Sequence, residues 1–145
     1  MKQKILDRLL DYSRLKFRVR KVMRYDDVGD YFDTTIISYD MKNQVYNNAI
    51  MLHEFIEYSL IKSAGIPASM IDDFDTDDDA PQKHPKEYKL YMKYHRIANN
   101  VERHLIQNMG LTWKDYQKAI YSEKVRVKSK KKATTATAPK RLKVR

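Results

Sequence analysis

Two stretches of helical period, residues 41–65 and 86–110, constrain this chain most, and each ends at a glycine, Gly65 or Gly110. In the first, Val45, Ala49, Leu52, Ile56 and Leu60 recur at helical spacing, with Asp40 as the expected N-cap and Gly65 just past the end. Helices of this length are held mainly by packing an apolar face, so the residues on that face matter. Both faces carry ionisable groups. Positions three, four and seven apart share a face, which puts His53 in line with Ala49, Ile50, Ile56, Glu57 and Leu60. The second stretch sets His95 in line with Tyr88, Tyr91, Met92, Ala98 and, seven residues on, Glu102 beside Leu105 and Ile106. An unpaired buried carboxylate is costly, so these four groups are expected to bond to one another or to hold a cation.

The segment His53-Glu54-Phe55-Ile56-Glu57 is one residue away from His-Glu-x-x-His, in which two histidines bind zinc and the glutamate between them activates a metal-bound water. A carboxylate at the fourth position can still ligate. His53, Glu57 and His95 are therefore the candidate metal ligands, with Glu102 a fourth ligand or the partner that orients His95. Glu54, about 100° round the helix from His53, is the candidate general base. Carboxylate ligands lower the Lewis acidity of the site, so Zn²⁺ is the first expectation and Mn²⁺ or Fe²⁺ also suit it. His84 and His104 read as solvent residues, and Tyr88, Tyr91, Tyr94 and Tyr116 as packing.

The 145 residues suffice for one domain, and the absence of cysteine excludes disulfides and thiolate metal sites. No apolar run approaches the roughly 20 residues that span a bilayer, and the first 20 residues lack a signal-peptide core. The chain therefore reads as soluble and cytoplasmic at synthesis. The net charge of +10 is not evenly spread. From Lys124 onward there are ten bases and no acid, whereas residues 1–123 hold 19 of each. The body is thus neutral, but residues 1–24 are mostly basic and 26–79 mostly acidic, so the two could attract each other weakly.

An α+β domain is expected. Residues 1–15 read as an amphipathic N-terminal helix, and residues 16–122 as the domain proper. Within it, the β-branched runs around Phe17–Val22 and Thr34–Ser38 suggest two strands of a hairpin, with the Asp-rich segment holding Gly29 as its loop. Residues 66–85 read as a loop with a short helical turn at 69–74; their six aspartates do not match a calcium loop, which needs a central glycine and a terminal glutamate. Thr112 caps a short last helix. Residues 123–145 read as a disordered basic tail, with Lys128, Lys130, Lys131, Lys132, Lys140, Arg141, Lys143 and Arg145 as the candidate nucleic-acid contacts.

With "LHEFIE" at 52–57, Gly65-Ile66, "DDFD" at 72–75, "YHRIANNVERHL" at 94–105 and "MGLTWKDYQ" at 109–117, the chain resembles a group of small bacteriophage and prophage proteins. "RYDDVGDYF" at 24–32 is similar to the hairpin loop of that group, so the resemblance covers about 24–120. These proteins look like minimal zincin relatives, which implies a metal-binding hydrolase or peptidase and places the chain in the host-cell cytoplasm or in a virion. Two functions are expected on these grounds. The first is a phage-encoded metal-dependent hydrolase using the His and Glu residues above. The second is a non-enzymatic protein that grips nucleic acid or an acidic protein partner through its tail, which has no aromatic residue to stack on bases.

Overall fold

The computed structural model describes residues 8–137, with side chains from residue 8 to 128. It is an α+β fold in which a three-stranded mixed sheet lies against helices. The strands are β1 (Lys16–Arg20), β2 (Gly29–Phe32) and β3 (Thr35–Tyr39), in the order β1-β3-β2. After them come the helices α1 (Gln44–Ser63), α2 (Ala68–Thr76), α3 (Ala80–Lys83), α4 (Pro85–Asn108) and α5 (Trp113–Thr137).

The expected hairpin between the first and second β-branched runs does not form. β1 runs parallel to β3, pairing Lys16 with Thr35 and Arg20 with Tyr39. The hairpin partner of β3 is β2, inside the segment read as a loop, with Gly29 opposite Ser38 and Phe32 opposite Thr35. Asp33 (φ 46°) and Thr34 (φ 59°) make the turn with positive φ at both positions, the backbone that matches strand twist. A β-branched threonine rarely adopts this conformation, so the turn is not announced by the usual Asn-Gly or Asp-Gly pair. β1 is an edge strand whose five residues are all exposed, including the alternating Phe17 and Val19.

α1 begins later than the expected Asp40 cap. Lys42 takes φ 55°, and Asn43 becomes the N-cap, its side chain accepting from the Tyr46 N–H at 3.1 Å. The C-terminal glycines behave as expected, Gly65 at φ 75° and Gly110 at φ 77°. Residues 68–76 form a full helix rather than a turn, because Met70, Ile71 and Phe74 share a face packed on the core around Ile36 and Ile61. Thr112 caps α5 as expected, its hydroxyl accepting from the Asp115 N–H.

The last helix is long. It runs to Thr137, and Val127 is buried at 3 % exposure with Met23, Val28 and Ile106. The expected domain end at 122, with disorder from 123, therefore gives way to a helix anchored by a core contact. Residues 8–15 form turns rather than the expected helix, and the rest of that expectation lies outside the described residues. Ile36, Ile61 and Ile106 are essentially fully buried; each contributes about 1.5–3 kcal/mol through lost water contact. Among the described residues no helix is long and apolar enough to cross a membrane.

Candidate metal centre

α1 and α4 pack along each other, and where they meet the apolar core is interrupted by His53, Glu57, His95 and Glu102. Glu57 is 3 % exposed and stands at the centre. Its Oε2 lies 3.2 Å from His53 Nε2 and 3.0 Å from His95 Nδ1, while its Oε1 accepts from the Tyr31 hydroxyl at 2.9 Å. The two imidazoles stand edge to face, centroids 4.9 Å apart. One donor atom from each of His53, Glu57 and His95 lies within 4.8 Å of the others. A tetrahedral ion with bonds of about 2.0–2.1 Å spaces its donors roughly 3.3 Å apart, and the two distances to Glu57 match that spacing.

Glu102 is not a fourth member of that group. Its Oε1 lies 2.8 Å from His53 Nδ1, on the ring edge turned away from Glu57, and its Oε2 accepts a short hydrogen bond from the Tyr116 hydroxyl. It therefore orients His53, whereas the spacing suggested His95. A carboxylate behind a ligating imidazole fixes the tautomer, so Nδ1 keeps its proton and Nε2 faces the site.

Charge explains why these groups tolerate burial. Burial opposes a charged His53, but hydrogen bonds to Glu102 and Glu57, with the charges of Glu54 and Glu102, outweigh it and raise the imidazole to about 11. Burial likewise pushes Glu57 up, yet hydrogen bonds from His53 and His95 and their charges hold it at about 2. Without an ion, the centre is a compensated ion pair in which a proton occupies the place a cation would take.

Glu54 has a different environment. None of the described hydrogen bonds or ion pairs uses its carboxylate, and its side chain lies against the Cα of Gly29, where an added Cβ would come within 2.2 Å of Oε1. Burial pushes its pKa well above the usual carboxylate range; His53 opposes this, and Glu57, Asp27 and Asp30 add to it. Asp75 is raised to about 7, chiefly by burial and then by Asp27 and Glu57, although the Tyr91 hydroxyl donates to it at 3.3 Å. Arg24 braces this side, forked onto Asp30 at 2.8 and 3.0 Å and reaching Asp72 at 3.4 Å.

Two cavities meet at His53, Glu54 and His95. A small acid-lined one of about 50 Å³ holds Asp30, Asp75 and Tyr91 in its walls, and a larger one of about 320 Å³ opens beneath α5. Tyr31, Tyr116 and Gly29 belong to the site although sequence reasoning did not single them out for it. Of these, Tyr116 shares a polar-apolar helical segment that gave no sign of a partner. Of the tail candidates, Lys128 is exposed on α5. Lys130, Lys131 and Lys132 continue that helix with side chains outside the described residues, and Lys140, Arg141, Lys143 and Arg145 lie outside them altogether. No protein-family model, curated protein or solved structure matches the chain.

Proposed function

We propose that this protein binds one divalent metal ion through His53, Glu57 and His95 and acts as a metal-dependent hydrolase of amide or ester bonds, with Glu54 as general base. The observation that carries this reading is Glu57 Oε2 standing 3.2 and 3.0 Å from the two facing imidazole nitrogens. Two histidines and one carboxylate are the ligand set of many catalytic zinc sites, which leave a position open for water. A bound ion would supply Lewis acidity and a more acidic water. Glu54, beside the ligands and without a hydrogen-bond partner among the described residues, accepts the proton. Burial, with Glu57, Asp27 and Asp30, raises its pKa, which makes the ionised carboxylate a stronger base. The resemblance to zincin-like phage proteins supports the same reaction class.

The test is a Zn²⁺ titration of the metal-free chain beside His95→Ala and Glu54→Gln. One equivalent is expected in the wild type and in Glu54→Gln. His95→Ala should lose it without unfolding, because that side chain is 39 % exposed. Glu54→Gln should keep the metal and lose hydrolysis of p-nitrophenyl alkanoates. Failure of the wild type to bind one equivalent would overturn the reading.

A second reading concerns α5, where Lys124, Arg126 and Lys128 are exposed and no acid occurs after Glu123. We infer a salt-dependent nucleic-acid grip by this helix and the basic residues beyond its end. Removing residues 129–145 should weaken binding to duplex DNA at low salt and flatten its salt dependence; unchanged affinity rules the grip out.

A further inference from the structure

The larger cavity carries a statement about substrate. Its floor is His53, Glu54 and His95, so whatever fills it abuts the candidate metal ligands. Its apolar lining is Val28 and Ile50 together with Trp113, Ile120 and Tyr121 from α5. Trp113 and Ile120 pack on the core yet are incompletely covered, and Tyr121 is 71 % exposed, so part of this apolar lining stays open. Isolated exposed aromatics are ordinary, but aromatic and aliphatic side chains converging on a few polar groups are the usual make-up of a ligand cleft.

Charge narrows the occupant. Lys124 is the one lysine or arginine among the described residues lining the cleft, and it is engaged with Asp27 at 3.4 Å. The other charged groups lining it among the described residues are the carboxylates of Asp27, Glu54 and Glu102 with the two histidines. In the metal-free cleft an anionic ligand would face carboxylates, and among the described residues no unpaired lysine or arginine lines it. The acid-lined cavity on the other side of the ligands, at about 50 Å³, has room only for a small polar end group.

We infer that the cleft beneath α5 is the substrate subsite and takes a neutral apolar group, alkyl or aryl, carried on the carbonyl whose bond is cleaved. This deepens the hydrolase reading and rests on it for the word substrate. The cleft itself is testable with or without metal.

Trp113 is the only tryptophan in the chain, so its fluorescence reports occupation of the cleft. Two ligand series of increasing alkyl length are titrated: hydroxamates on the Zn²⁺-loaded protein and primary amides on the metal-free protein. In both, affinity should rise roughly fourfold per methylene until the cleft is full. The matching carboxylates should bind more weakly than the amides. Ile120→Phe should stop the rise at a shorter chain. Tyr121→Ala, at an exposed position that does not endanger folding, should make the rise shallower. Affinity independent of chain length in both series overturns the inference, and so does a rise that neither substitution alters. If Zn²⁺ fails to bind but the amide series still rises and responds to both substitutions, the cleft stands and the hydrolase reading falls. If Zn²⁺ binds and neither series rises, the reverse holds.

Discussion

Glu102 holds His53 by Nδ1 at 2.8 Å, on the ring edge opposite the one that faces Glu57. Its second oxygen is taken by Tyr116, which is 1 % exposed, so a hydroxyl, a carboxylate and an imidazole form a chain running from α5 through α4 to α1. Tyr116→Phe breaks that chain without touching a ligand. Leaving a buried carboxylate oxygen unpaired costs about 1–3 kcal/mol, so the thermal midpoint of the metal-free protein should fall. Zn²⁺ affinity should drop roughly 10- to 100-fold, as with other partners of ligating histidines. A melt and a metal titration on one preparation check both, and an unaltered affinity would show that Glu102 does not tune His53.

The stability of the metal-free protein should peak in mildly acidic solution as far as this pair is concerned. His53 is raised to about 11, so its contribution is fully present below its unfolded pKa near 6.5 and fades as pH rises through about 11. Glu57 is lowered to about 2, so its contribution is present above the unfolded value near 4.5 and is lost as pH falls through about 2. The two overlap fully only between those unfolded values. Urea unfolding of wild type and His53→Ala across pH 3–10 should show their difference largest there and smaller at both ends.

Metal binding should release a proton. Glu102 keeps the Nδ1 proton of His53, so a cation at Nε2 displaces the other one. Because that proton leaves with a pKa of about 11, the apparent Zn²⁺ dissociation constant should fall by roughly tenfold per pH unit from pH 6 to 8. Calorimetry in buffers of different ionisation enthalpy counts the protons directly. A pH-independent affinity would mean His53 is not a ligand.

Gly29 is required by Glu54 rather than by the strand. A methyl group there would come within 2.2 Å of Oε1, 2.7 Å of Cδ and 2.8 Å of Cγ, all belonging to a side chain that can swing aside. Gly29→Ala should therefore change stability by less than about 1 kcal/mol while displacing the general base. Ester hydrolysis should fall to the level of Glu54→Gln with metal stoichiometry intact.

The contact of Val127 with the core places the functional end of the body inside α5. A chain ending at 123 should lose about 1.5 kcal/mol or more in urea unfolding, from the apolar burial of Val127 alone. One ending at 128 should unfold like the full-length protein. Equal midpoints for the two truncations would show that the Val127 contact contributes nothing.

How much of this was legible in the sequence differs from element to element. The two long helices were, since capping glycines and a 3.6-residue period are local, and so was the pairing of His53 with Glu57 four residues on. β2 was not, because Gly29 and Asp30 read as turn residues; they sit in a strand because Asp30 is clamped by Arg24 and Gly29 makes room for Glu54. Nor was the extent of α5, whose lysines lack an apolar period, while one valine finds the core.

The sequence by itself determined which charges stand on the buried faces of α1 and α4, because helical spacing depends only on positions along one chain segment. Only the tertiary structure decided what each of them touches. How α1 lies against α4 turns one edge of the His53 ring to Glu102 and the other to Glu57, and the neighbouring strand and α5 bring Tyr31 and Tyr116 to the remaining oxygens. Those contacts join residues up to 49 positions apart, and they arise from the packing of whole elements, which no local pattern encodes.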